Sequence, residues 1–204
     1  MKKNNKILSQ GNFDGHCLQY SVMNAFKALS DPSATAYSFS NKQRTKWQKI
    51  IALTPSLQNF SSGFGSDFGI STLDAAGNIL QNLIFNYFEA IGEKTKNTYH
   101  ITKIKNTEIE SVNFKNSVLI FCLKEKAETE HYSDADHWVC CAGKQDGYLH
   151  LACSHVLFEI EDKYEEMLSN TEKERYFNTS IELSKFRKST IYTDQIFCVR
   201  IVTI

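Results

Sequence analysis

The chain has 204 residues, with 23 Lys and Arg against 23 Asp and Glu, 42 % hydrophobic residues and 23 % charged ones. A chain of this length buries roughly 70 % of its unfolded surface, and a composition so close to the globular average excludes a fibrous or disordered polypeptide. Zero formal charge and a pI near 7.0 leave no excess of Lys or Arg to neutralise a phosphate lattice, so nucleic acid is not an expected partner.

Six cysteines (Cys17, Cys122, Cys140, Cys141, Cys153 and Cys198) are too few for a disulfide scaffold, and most lie in apolar runs such as VLIFCL and QIFCVRIV. They read as reduced and buried. The start MKKNNKILSQGNF is basic but lacks the apolar stretch of a secretory signal. No run approaches the roughly 18 to 20 apolar residues that cross a bilayer. The expectation is a cytoplasmic protein without a membrane span, compatible with delivery into another cell by a specialised system. A single domain over 1–204 is expected, with a helical half over 1–95 and a sheet half over 96–204.

Leu18, Val22, Ala25, Phe26 and Leu29 recur at helical spacing immediately after Cys17, and Pro32 in SDPS stops the pattern. A helix is therefore predicted from Cys17. A second is predicted over about Lys42 to Leu53, and a third from about Thr72 to Ile91, with Ser71 and Asp74 as a capping box and Gly92 as its stop. The loop FSSGFGSDFG between them follows no strand, so its glycines read as a surface loop and not as a phosphate cradle.

Past about residue 97 the pattern changes. TYHITKIK, SVLIFCL, HWVCCAG, YLHLACS and QIFCVRIVTI are short and rich in β-branched and aromatic residues. Asp146-Gly147 joins two of them as a hairpin signal, since both positions tolerate positive φ. The charged stretch from about Glu159 to Phe177 is helical in tendency and reads as a surface insertion. Helices first and antiparallel strands afterwards define an α+β fold.

Two residues stand out chemically. Cys17 falls where a turn-rich loop enters an apolar helix, and a helix N-terminus stabilises a thiolate through its unpaired N–H groups and dipole. His137 opens a predicted strand, where a sheet packed on the first helix would bring a distant base to the thiol. A buried core cysteine and a solvated histidine are the alternatives.

The series Gln10, Gly11, Asp14, Gly15, Cys17, then His137, Trp138 and Gly143, resembles the papain-like cysteine peptidase superfamily, closest to the bacterial branch of double-glycine, bacteriocin-leader peptidases. The resemblance implies a papain-like fold with Cys17 as nucleophile, His137 as base and acid, and Gln10 joining the Cys17 N–H in the oxyanion hole. The family has this Gln some six residues before the Cys; Gln10 lies seven before Cys17. It also implies a protein or peptide substrate and no cofactor.

The family's third member, an Asn or Asp after the His strand, has no counterpart in HLACSHV. A two-residue hairpin turn puts Ser154 on the face of His137, whereas a three-residue turn presents Cys153 or His155. The family's usual spacing aligns Cys153, and Asp134 or Asp136 offers an orienter from the loop before the strand. The most economical expectation is a peptidase working through Cys17 and His137, with Gln10 and Ser154 in support. A deamidase or transglutaminase-type effector uses the same machinery, and a degenerate papain-like module that binds without cutting is the alternative of a different class. Zinc is the competing reading of His137, Cys140, Cys141, Cys153 and His155. A strand sends Cys140 and Cys141 to opposite faces, however, and no Cys-x-x-Cys knuckle occurs. No metal site is expected. The sequence carries no signal for oligomeric state.

Overall fold

The computed structural model describes residues 5–9, 15–55, 79–92, 97–124, 127, 137–154, 165–168, 174–187 and 190–203. Helix α1 spans Cys17–Ser30, α2 Ala36–Leu53 and α3 Ile79–Gly92. The apolar stripe of α1 holds Leu18, Val22, Ala25, Phe26 and Leu29 in the core. Helix α2 starts six residues before its expected beginning, because the Thr35 hydroxyl accepts from the Ser38 N–H at 3.1 Å and caps it. The expected start of the third helix and its Ser71/Asp74 box lie outside the described residues, as does the glycine-rich loop.

The strands are β1 (Asn97–Lys103), β2 (Ser117–Leu123), β3 (His137–Gln145), β4 (Tyr148–Ala152), β5 (Glu166–Leu168), β6 (Arg175–Phe177), β7 (Thr179–Glu182) and β8 (Ile191–Thr203). Six of them form one antiparallel sheet in the order β1-β8-β2-β3-β4-β7. N-terminal helices and a C-terminal antiparallel sheet make a mixed fold of the α+β kind. Strands β5 and β6 pair separately. They come from the stretch read above as a charged helical insertion, and that reading is corrected: its described parts are short strands, and Leu168 packs onto β3 so closely that a Cβ on Gly143 would lie 2.6 Å from it.

Helices α1 and α3 lie on one face of the sheet, α1 against β2 and β3 and α3 against β1, while α2 packs on α3. This face carries Val118, Ile120, Cys122, Trp138, Cys140 and Phe197. The opposite face carries a second core, including Leu119, Phe121, Val139, Cys141 and Leu151. Strand β2 is buried on both faces, which is why SVLIFCL reads as a continuous apolar run and not as an alternation. Cys140 and Cys141 do point to opposite faces, and none of the six cysteines is disulfide-bonded. No helix among the described residues is long and apolar enough to cross a membrane.

Asp146 and Gly147 form the β3–β4 turn with φ of 53° and 80°, between the paired residues Gln145 and Tyr148. Positive φ at both positions is the two-residue hairpin geometry whose twist matches the flanking strands.

Candidate active site

Cys17 is the first residue of α1 and is 3 % exposed. The first turn of α1 contains no acidic side chain. Trp47 of α2 covers this turn, tilted against Tyr20 at 4.8 Å and edge-on to His16 at 6.2 Å. Beneath it a buried polar cluster joins the three helices. The Thr54 and Tyr87 hydroxyls lie 2.8 Å apart, and Gln19 Nε2 donates to them at 3.3 and 3.4 Å. Burial pushes the Tyr87 pKa up, so the cluster stays neutral. The start of α1 is thus held by both of the other helices.

The second half of α1 meets the sheet where Phe26 contacts Tyr99 of β1 at 5.6 Å. Tyr99 pairs with Ile201, one rung from the Arg200–Ser117 pair that opens β2. Helix α1 also packs on β2 and on β3, the strand that His137 opens.

His137 is the first residue of β3, as expected, and is 4 % exposed. Its direction follows from the register. Directly opposed residues of an antiparallel pair share a face. Trp138 opposes Cys122 in the core under the helices, and His137 opposes Leu123 in the core on the other side. The His137 ring therefore leaves β3 on the face away from α1, with Val139 and Cys141. Helix and strand are brought together; the two side chains leave on different faces.

The support expected from Ser154 also changes. The hairpin turn has two residues, yet a β-bulge between Cys141 and Gly143 shifts the pairing, so Cys140 faces Ala152. Continued, this register sets Ser154 opposite Trp138 and out of step with His137, which corrects the face expected for Ser154. Strand β4 ends at Ala152, and Ser154 lies buried in a bend. Cys153 belongs to the same core face as Val139 and Cys141. Asn178 fixes its backbone: the Cys153 N–H donates to Asn178 Oδ1, and Asn178 Nδ2 donates to the Cys153 carbonyl, both at 2.8 Å. Gln10, Asp14, Asp134, Asp136 and His155 lie outside the described residues. Among the described residues no three His, Cys, Asp or Glu side chains converge as metal ligands.

Three polar residues near these elements, Asn24 and Arg175 buried and Glu165 half-buried, were missed in the sequence. Asn24 binds the Leu8 peptide, Glu165 binds the amides of Lys6 and Ile7, and Arg175 reaches carbonyls of Phe114, Lys115, Ser117 and Ala142. Only the polar interruption of a buried helical stripe at Asn24 was there to be noticed. No protein-family model and no curated protein matches the sequence.

Proposed function

We propose that the chain is a papain-like cysteine enzyme of acyl transfer, with hydrolysis of a peptide bond as its reaction and a protein or peptide as its substrate. The observation that carries this reading is Cys17 at the first position of α1, at a helix start with no acid in its first turn. There the helix terminus favours the thiolate, the nucleophilic form. In the proposed cycle the Cys17 sulfur attacks the carbonyl carbon, and the Cys17 N–H and Gln10 hold the oxyanion. His137 protonates the departing amine, and water then resolves the thioester.

His137 serves this cycle only after turning to the helix side. It sits on the last rung of the β2–β3 ladder, where a change of face disturbs the fewest pairs. Cys153 belongs to the core on the face His137 now takes, and a thiol is a weak acceptor for an imidazole.

The register of β3 favours a second reading, in which the papain-like domain binds a protein partner without chemistry. Limiting iodoacetamide at neutral pH separates the two. The enzymatic reading expects Cys17 to be alkylated well before the other five cysteines, with the preference lost in His137→Ala. Slow modification of Cys17 at the pace of the core thiols supports the binding module and removes the enzyme.

A further inference from the structure

Lys27 stands among the buried residues of α1 with its side chain only 4 % exposed, in the last turn of the helix. Its Nζ donates to the Pro32 carbonyl at 2.6 Å, in the loop that follows. The same residue lines a small cleft of about 230 Å³, open mouth included, whose apolar walls come from Ile7, Ala28 and Ala152. The closed part of the cleft has room for about one water. Sites for drug-sized ligands start at roughly 300 Å³, so this one suits a molecule of only about two or three carbons.

A second amine borders the cleft. Lys6 Nζ donates to the Ser33 carbonyl at 2.7 Å and lies 5.4 Å from the ring centroid of Tyr176, another lining residue. Asn24 lines the cleft as well, but the Leu8 peptide takes both ends of its amide, at 2.9 and 3.0 Å. The Tyr176 hydroxyl in turn donates to the Glu174 carboxylate at 3.3 Å. The side-chain chemistry that converges on the cleft is therefore that of two amines, one buried and one at the surface. Burial acts most strongly on Lys27, Lys6 repels its charge, and Asp31 and Glu165 attract it; the balance lowers its pKa to about 8. A lysine that is both desolvated and beside another cation is the kind that reacts with carbonyl compounds.

We propose that Lys27 is a covalent site for a small 2-oxo acid, held as an imine on Nζ with its carboxylate met by Lys6. The neutral amine adds to the carbonyl carbon, and the C=O π pair moves to oxygen. One amine proton and one proton from solvent carry that oxygen away as water. The protonated imine that remains keeps one N–H, the donor that the Pro32 carbonyl already accepts. No oxidant or reductant enters the step. The site is independent of Cys17 and of the acyl-transfer reading.

The test uses the full-length chain at pH 7 with limiting glyoxylate and sodium cyanoborohydride, which reduces each imine to a stable carboxymethyl-lysine. Peptide mapping then reads the rate at every lysine. At this pH a lysine of pKa about 8 holds roughly a hundredfold more neutral amine than an ordinary one. Its lower basicity returns part of that gain, so Lys27 is expected to react at least about tenfold faster than the exposed Lys42 and Lys103. Acetaldehyde, an aldehyde without a carboxylate, isolates the part played by Lys6. In Lys6→Gln the glyoxylate-to-acetaldehyde rate ratio at Lys27 should fall about threefold or more, even though both rates change with the amine's own basicity. Modification of Lys27 at or below the pace of Lys42 and Lys103 in the wild type overturns the proposal and needs no variant to fold. A fast Lys27 whose ratio is the same in Lys6→Gln also overturns it, because the amine then reacts with any aldehyde and the cleft selects no acid.

Discussion

Lys27, near the end of α1, shows what burial does to a single charge in this protein. Its ammonium donates to the Pro32 carbonyl at 2.6 Å, and burial lowers its pKa to about 8, assisted by repulsion from Lys6 and opposed by Asp31 and Glu165. Burial likewise raises the Glu165 pKa above the ordinary carboxylate value, against the Ile7 and Lys6 amides that favour the anion. The sign for Lys27 follows from linkage: the unfolded side chain holds its proton to a higher pH than the folded one, so stability rises as pH climbs through about 8. Between pH 7 and 9 the gain is on the order of 1 kcal/mol. Urea unfolding at both pH values should show it in the wild type and not in Lys27→Met. An equal pH response in the variant would contradict the assignment. Asn24 and Asn178 were hidden in the sequence for a related reason: each is defined by the distant peptide it grips, at Leu8 and Cys153, and only the apolar stripe around Asn24 hints at burial.

Among the elements, the β3–β4 hairpin was legible in its turn and misread in its register. Asp146-Gly147 supplied the two positive φ values, but parity counted from the turn failed at the bulge three pairs away. A bulge adds one residue and moves every later side chain to the other face. Arg175 of β6 helps explain why the bulge stands. Its guanidinium donates to the Ala142 carbonyl inside the bulge at 3.0 Å, and to those of Ser117, Phe114 and Lys115 at 2.7, 2.6 and 3.2 Å. A planar fork spans several carbonyls at once, and an ammonium does not. Arg175→Lys should therefore cost about 3 kcal/mol, since it strands buried carbonyls that no neighbour can satisfy. A loss under about 0.5 kcal/mol, the level of an ordinary surface substitution, would show that Arg175 does not hold the bulge. The charged composition around Arg175 argued for a surface helix because periodicity registers charge and not the carbonyls that surround it.

For the whole molecule, helices on one side and an antiparallel sheet on the other were readable from the switch in hydrophobic period near residue 97. The sheet is covered on both faces, and this second layer was not readable, because a doubly buried strand such as β2 gives an apolar run with no direction in it. The same ambiguity touched the site. The sequence placed Cys17 at a helix start and His137 at a strand start, but one register step decides which face a histidine serves, and that step lies in the pairing of Leu123 with His137. The proposed chemistry depends on this residue reaching the thiol. The most direct measurement is the pH dependence of Cys17 alkylation in the wild type and in His137→Ala. The wild type should show an inflection well below the usual thiol value of about 8.5, and the variant a return toward it. Superimposable profiles, with Cys17 titrating as an ordinary or buried thiol in both, would contradict the proposed chemistry.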